Sequence, residues 1–257
     1  MGTALVTGAT AGIGRAFAEE LARRGHALVL VARSMPRLEE VADELRSRHG
    51  VAVEVLSADL SDEVETRLVA ERLADAGRPV DLLVNNAGFG LGQGFVDGDL
   101  AAEQRALDVM VRAVMVLSHA AARAMRSRGH GAIVNVSSVS GFVVMSSYSA
   151  VKSFVTVFSE ALANELRGTG VTATALCPGF TRTEFHGRAG MDMSRLPGPL
   201  WLDADRLVRD GLADVARGRV VSVPGPAYKA TVLVAKLAPR AVVRRVSGAI
   251  GAGRRRG

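Results

Sequence analysis

Short apolar runs alternate along the chain with longer amphipathic stretches. The runs at 27–31 and 81–84 are continuous rather than alternating, which is typical of strands covered on both faces. Between the runs, apolar residues recur three and four positions apart and predict helices. The predicted strands are 3–7, 27–31, 51–57, 80–84, 132–136, 171–176 and 219–223. The predicted helices are 12–24, 36–48, 62–76, 100–128 and 147–167, and an irregular stretch follows residue 176.

This order of elements predicts an α/β fold, with a doubly wound parallel sheet of about seven strands flanked by helices. Ligands of such sheets bind beyond the carboxyl ends of the strands, and glycine and polar residues collect there in the sequence. We assign residues 1–225 to a single domain that includes a substrate loop near 184–202. Residues 226–257 form a basic amphipathic C-terminal extension.

Charge is unevenly distributed along the 257 residues. The formal net charge is +6, but residues 215–257 contain ten Lys or Arg and no Asp or Glu. The C-terminal part therefore carries +10 and the rest of the chain a net −4. The apolar and basic residues of this part favour either a helix packed on the body of the protein or peripheral contact with an anionic membrane. We expect deletion of 247–257 to leave the activity intact.

Other features of the composition bear on compartment and partners. The single cysteine, Cys177, excludes an internal disulfide framework and fits a reducing compartment, so we expect a cytoplasmic protein. The sequence contains no run of eighteen apolar residues, so we expect no membrane span. Two tyrosines and one tryptophan argue against a stacking surface for nucleic acid, and we expect no nucleic-acid partner.

A glycine-rich turn follows the first predicted strand. Gly8, Gly12 and Gly14 would let the backbone approach a pyrophosphate at a helix N-terminus, as in a Rossmann-type dinucleotide-binding domain. The alternative is a tight turn with close helix packing. At the end of the second strand Ala32 supplies no carboxylate for a ribose, whereas Arg33 could pair with the 2′-phosphate of NADP(H). Arg33 could also be a solvated surface residue.

Asp59 follows the third predicted strand. Its carboxylate could accept a hydrogen bond from the adenine amino group, or it could cap the next helix. Ser61 is better placed for capping.

Tyr148 and Lys152 lie four residues apart on one predicted helix and therefore share a face. Together with the hydroxyl of Ser138 they form a proton-donating site. We expect the ammonium group of Lys152 to lower the pKa of Tyr148.

On these motifs the chain resembles the classical short-chain dehydrogenase/reductase family. The matches are Thr7–Gly14, Asn85–Gly88, the trio Ser138, Tyr148 and Lys152, and Pro178-Gly179 with Thr183. The resemblance implies catalysis by Ser138, Tyr148 and Lys152. We expect the cofactor NADP(H) to be bound by Gly8, Thr10, Gly12, Ile13, Gly14, Arg33, Ser34, Asp59, Leu60, Asn86, Ala87, Gly88, Tyr148, Lys152, Pro178, Gly179, Thr181 and Thr183. No metal site is expected.

The chain departs from the family pattern in two places. Tyr148 lies only ten residues after Ser138, so the loop between them is short and Ser137 is an alternative catalytic serine. The family's usual asparagine in the long helix before the serine strand is replaced by Met110. The apolar stripe of that helix predicts a core methionine instead.

The resemblance implies an oxidoreductase that transfers a hydride between NADP(H) and a carbonyl or secondary alcohol. We expect a hydrophobic ketone as substrate, such as a 3-oxoacyl, steroid-like or other lipidic compound. The alternative is an NADPH-binding regulatory or scaffolding protein of low activity. The expected assembly is a homodimer or homotetramer. The apolar residues between Phe180 and Trp201 predict either a substrate lid or a packed loop, and His186 could line the cleft.

Overall fold

The computed structural model describes residues 2–185 and 197–254. Parallel strands form a seven-stranded sheet in the order β3-β2-β1-β4-β5-β6-β7. The strands are β1 Thr3–Thr7, β2 Ala27–Ala32, β3 Val53–Ser57, β4 Leu82–Asn85, β5 Gly131–Val136, β6 Val171–Leu176 and β7 Val221–Ser222. This sheet confirms the predicted α/β fold class.

Helices cover both faces of the sheet. They are α1 Gly12–Arg23, α2 Met35–His49, α3 Glu63–Ala74, α4 Leu100–Leu107, α5 Ala113–Arg128, α6 Ser147–Glu165, α7 Ala204–Ala216, α8 Pro226–Leu237 and α9 Arg240–Arg254. Along β1, Val6 packs into the cluster that also holds residues of α1, α2 and α7, whereas Leu5 packs into the cluster with α3 and α5. This arrangement explains why the strands have continuous apolar runs.

Two helical features differ from the prediction. Helix α7 lies in the stretch predicted to be irregular. Asp203 accepts a hydrogen bond from the backbone N–H of Arg206 at its start, and Leu207, Val208 and Leu212 are buried. The predicted helix 100–128 is interrupted between α4 and α5 by a π-helical turn at Asp108–Arg112.

The C-terminal helices pack on the body of the protein. In α8, Tyr228 and Val232 are buried in one cluster with Cys177 and Val223. In α9, the buried hydroxyl of Ser247 accepts a hydrogen bond of 3.2 Å from the backbone N–H of Val144. Within 2–185 and 197–254, no helix meets the length and hydropathy needed to cross a bilayer.

A buried chain of polar groups fixes α6 on the sheet. Asn85 donates to the side chains of Asn135 at 2.9 Å and Ser118 at 3.1 Å. Asn135 in turn donates to the hydroxyl of Ser159 in α6 at 2.9 Å. Buried hydrogen-bond networks of this kind hold neighbouring elements in one arrangement, and α6 carries two of the predicted catalytic residues.

Candidate active site

The turn between β1 and α1 is shaped as a cradle. Gly8 and Gly12 have φ angles of +66° and +54°, which L side chains rarely adopt. A Cβ atom at Gly14 would overlap the carbonyl oxygen of Gly8. Helix α1 begins without a side-chain cap at Ala11, so its first N–H groups are left for another acceptor. The turn therefore fits the pyrophosphate of a dinucleotide.

The ends of two other strands close around this turn. The side chain of Asn86, after β4, donates to the carbonyl oxygen of Thr7 at 2.9 Å. The hydroxyl of Thr7 accepts from the backbone N–H groups of Asn86 and Ala87 at 2.9 and 3.0 Å. Thr183, after β6, lies 3.2 Å from the position of a Cβ atom on Gly12. The structure thus brings three of the predicted cofactor segments together.

Several other predicted cofactor residues lie at the same edge. Thr10 lies in the cradle turn and Ile13 packs on the core below it. The carbonyl oxygen of Pro178 accepts from the backbone N–H of Val139 at 3.0 Å. The buried hydroxyl of Thr181 donates to the carbonyl oxygen of Gly179 at 3.0 Å.

Gly88 and Ser34 are exposed, Ser34 at the N-cap position of α2. The side chain of Leu60 is buried in the core, so only its backbone is left for a cofactor.

Arg33 is exposed at the end of β2, close enough to Asp59 for its charge to act on that carboxylate. Burial opposes ionisation of Asp59, but hydrogen bonds from the backbone N–H and hydroxyl of Ser61 and the charge of Arg33 hold its pKa below the ordinary value. The helix-capping alternatives for Asp59 and Ser61 are wrong. Asp62 caps α3, because it is the residue directly before the first helical turn and accepts from the backbone N–H of Glu65.

The predicted catalytic side chains meet beyond the end of β5. Tyr148, in the first turn of α6, lies beside the side chain of Ser138, whose hydroxyl favours the ionised phenol. The Nζ atom of Lys152 lies 5.6 Å from the centroid of the Tyr148 ring and donates to the carbonyl oxygen of Val136 at 2.8 Å. Ser137 points elsewhere: its buried hydroxyl donates to the carbonyl oxygen of Lys152 at 2.6 Å. The geometry therefore favours Ser138 over Ser137.

The expected lowering of the Tyr148 pKa does not come from the protein's own groups. Burial raises the pKa of Tyr148 above its ordinary value, and the neighbouring hydroxyl of Ser138 only partly offsets this. Burial also lowers the pKa of Lys152 to about 8. The nearby ammonium does not reverse the effect of burial on Tyr148, so in the protein alone the phenol is firmly protonated.

The thiol of Cys177 also lies near this site, but it is buried. Burial raises its pKa to about 11, which disfavours the nucleophilic thiolate. Cys177 is therefore a small buried thiol rather than a nucleophile.

Met110 is a core residue, as the apolar stripe predicts. It is buried in the π-helical turn with Ala106 and Val151, and Tyr148 packs against the same cluster. Its sulfur would lie 3.0 Å from a Cβ atom on Gly88. The position of the usual asparagine is thus filled by an apolar side chain that cannot hold a relay water.

We predict that Met110→Asn leaves the turnover number unchanged or raises it, because an amide at this position can hold water. A buried amide with unmet hydrogen bonds is expected to lower the free energy of unfolding by about 1–3 kcal/mol. Steady-state kinetics and denaturant unfolding measure the two effects, with Met110→Leu as the apolar control. A steep loss of rate at unchanged stability would instead assign Met110 a role in catalysis or substrate packing.

Aromatic residues lie beside Tyr148 and in the segment that follows β6. The ring of Phe185 lies 6.0 Å from that of Tyr148, and the ring of Phe180 lies 6.3 Å from that of Trp201. The backbone at Thr181 pairs with Leu202. His186 and Leu196, two residues of the predicted substrate loop, lie outside the described residues.

Two residues of the C-terminal helices also support the site, and the sequence analysis missed them. The hydroxyl of Tyr228 accepts from the backbone N–H of Phe180 at 3.1 Å and donates to the carbonyl oxygen of Leu200 at 2.6 Å. Ser247 holds Val144 in the short loop between Ser138 and Tyr148. Deletion of 247–257 would remove that bond, so the expectation of an unaffected activity no longer has structural support.

Comparisons with known proteins agree with this geometry. The family model described as short chain dehydrogenase matches residues 2–193, so the chain belongs to the short-chain dehydrogenase family, and the resemblance is confirmed. It is an oxidoreductase of a family that uses nicotinamide cofactors and acts on small molecules.

Individual relatives cover most of the chain. Sulfoacetaldehyde reductase 2 of Chromohalobacter salexigens is 40% identical over 186 residues, which are 70% of this chain and 73% of that protein. A short-chain dehydrogenase from Sphingobium yanoikuyae, solved in complex with NADPH, is 39% identical with a TM-score of 0.84, covering 91% of this chain and 92% of that one. The bulky-bulky ketone specific alcohol dehydrogenase from Comamonas testosteroni is 33% identical with a TM-score of 0.80, covering 92% of both chains.

Proposed function

We propose that this protein transfers a hydride between NADP(H) and a carbonyl or secondary alcohol, and that it reduces a hydrophobic ketone. The observation that carries the proposal is the grouping of Ser138, Tyr148 and Lys152 at the sheet edge that also holds the glycine cradle. The experiment is the oxidation of NADPH, followed by absorbance, with a panel of ketones and aldehydes. The alternative, a regulatory protein of low activity, predicts binding of NADPH without turnover of any of these carbonyls.

Each side chain has a distinct role in the proposed reaction. When bound, NADPH supplies the hydride. Tyr148 gives its proton to the carbonyl oxygen of the substrate, and the phenol carries this proton at neutral pH because burial raises its pKa. Ser138 donates a hydrogen bond to the same oxygen as negative charge develops there. Lys152 holds a positive charge beside the phenol.

The preference for NADP(H) is supported by the end of β2. Ala32 offers no carboxylate to the ribose, and the exposed guanidinium of Arg33 is available for a phosphate. The NADPH complex of the Sphingobium relative supports the same choice.

We predict that Arg33→Ala weakens NADPH binding by about tenfold or more and NADH binding much less, because a charge-assisted contact with the 2′-phosphate is lost. Fluorescence titration with both cofactors measures the two dissociation constants. Arg37→Ala, which removes another exposed arginine near the start of α2, is the control. Equal losses for NADPH and NADH would refute the assignment of Arg33.

The hydrophobic substrate class is supported by the aromatic surroundings of Tyr148. Phe185 lies against its ring, and Phe142 lies in the short loop before it. The Comamonas relative, whose name specifies bulky ketones, has the same fold over nine-tenths of the chain. A screen that compares bulky aryl or alkyl ketones with acetone and with charged aldehydes tests this part of the proposal.

We also propose that the protein is a homodimer or homotetramer. Exposed apolar side chains lie on α5 at Met115 and Val116 and on α6 at Phe154 and Val157. Patches of this kind mark association surfaces in soluble domains. Light scattering coupled to size exclusion measures the mass in solution, and a monomer at micromolar concentration would contradict the proposal.

A further inference from the structure

Helix α8 has two apolar faces on opposite sides. Tyr228 and Val232 point inward and are buried against the sheet. Leu233, Val234 and Leu237 point outward and are 58%, 67% and 77% exposed. A surface helix normally turns polar residues to water, so the second apolar face needs an explanation.

Exposed apolar residues also occur on α9, and both helices carry exposed cations. Val242 and Val246 of α9 are also half or more exposed. We call these five residues, Leu233, Val234, Leu237, Val242 and Val246, the C-terminal face. Exposed cations on the same two helices are Lys229, Lys236, Arg240, Arg244 and Arg245. The sequence places no Asp or Glu anywhere in 215–257 to neutralise them.

The C-terminal helices also reach the catalytic loop. The Nζ atom of Lys236 lies 5.2 Å from the centroid of the Phe142 ring, and Ser247 accepts from the backbone N–H of Val144. Both contacts are with the short loop between Ser138 and Tyr148. The C-terminal helices therefore lie directly against this loop, with Leu233, Val234 and Leu237 on the outer side of α8.

We propose that the C-terminal face docks on the surface of an anionic lipid bilayer, with the apolar side chains in the interface and the cations at the headgroups. Apolar residues flanked by Lys and Arg are the composition that binds such surfaces. A symmetric contact with a second copy is disfavoured, because it would bring the five exposed cations of one copy against the same five of the other. The docking proposal is argued from this surface alone. A further consequence, that a lipidic ketone enters from the bilayer, rests on the proposed function.

Flotation of the full-length protein with vesicles tests the docking. We expect binding to vesicles of phosphatidylcholine with phosphatidylglycerol, little binding to phosphatidylcholine alone, and weakening as salt is raised. Leu233→Ser with Leu237→Ser should reduce binding about tenfold or more, since apolar surface no longer enters the interface. The control is Val64→Ser with Leu68→Ser, an equally spaced exposed pair on α3.

The charge contribution is tested separately. Arg244→Gln with Arg245→Gln should weaken binding roughly fivefold for each cation removed, whereas Arg123→Gln with Arg126→Gln on α5 should have little effect. Circular dichroism checks that every variant is folded.

Full-length protein that ignores anionic vesicles at low salt would overturn the proposal. Equal vesicle binding by the α8 and α3 variants would also overturn it. Loss of self-association in the α8 variant, with no vesicle binding by the full-length protein, would overturn it as well. Ketone reduction is measured in parallel without vesicles. Activity without vesicle binding refutes only the docking, and vesicle binding without activity refutes only the proposed function.

Discussion

Replacing Tyr148 with phenylalanine is expected to lower the turnover number by about 10²–10⁴ while NADPH affinity changes little. The substitution removes the proton donor but keeps the ring that packs on Phe185 and on the Met110 cluster. Phenylalanine has no hydroxyl proton, so the substrate oxygen loses its acid. Steady-state oxidation of NADPH with an accepted ketone measures the rate, and fluorescence titration measures the affinity.

The other tyrosine of the chain provides the control. Tyr228→Phe removes a hydroxyl that is bonded to Phe180 and Leu200 but is not aimed at the reacting group, so its turnover should stay within about tenfold. A Tyr148→Phe enzyme with nearly normal turnover would remove Tyr148 from the mechanism.

Replacing Lys152 with methionine is expected to reduce both turnover and NADPH affinity, the turnover by about 10² or more, because it removes the positive charge beside the phenol. In the wild-type enzyme, loss of this charge at high pH should have the same effect on activity. Burial lowers the pKa of Lys152 to about 8, so the ammonium is present below that pH and is lost above it. The value of kcat/KM for NADPH should therefore fall as pH rises through about 8.

The Lys152→Met enzyme should lack this alkaline fall, because the titrating group is gone. Lys229→Met, which removes an exposed lysine of α8, should keep it. If kcat/KM for NADPH falls identically at alkaline pH in the wild type and in Lys152→Met, the titrating group is another residue.

The sequence alone predicts the parts of the fold that depend on neighbouring residues in the chain. Strands Thr3–Thr7 and Val171–Leu176 have the bounds predicted, because their apolar runs end at glycine or at a proline-containing turn. The glycine turn and the spacing of Tyr148 and Lys152 are local as well. Helix α7 was missed although Asp203 and the apolar residues after it mark a helix; it lies inside a stretch rich in glycine and proline, which was interpreted as irregular.

What the sequence could not predict depends on contacts between distant residues. The bond from Val144 to Ser247 spans 103 positions, and no periodicity signals it. The pKa of Tyr148 depends on how deeply the folded protein covers the phenol, and a neighbouring lysine in the sequence does not reveal that. The choice between Ser137 and Ser138 is likewise made by the direction of each hydroxyl in the folded loop.

The support of the catalytic loop by α9 also has a consequence for how the protein is made. Ser138, Tyr148 and Lys152 leave the ribosome well before Ser247, which is needed to hold Val144. At synthesis rates of about 5–20 residues per second, the loop waits roughly 5–20 s for that partner. When Lys152 has been made, the nascent chain already holds five of the seven strands of the sheet but neither α8 nor α9. Newly made enzyme should therefore acquire its activity late, after its cofactor turn has formed.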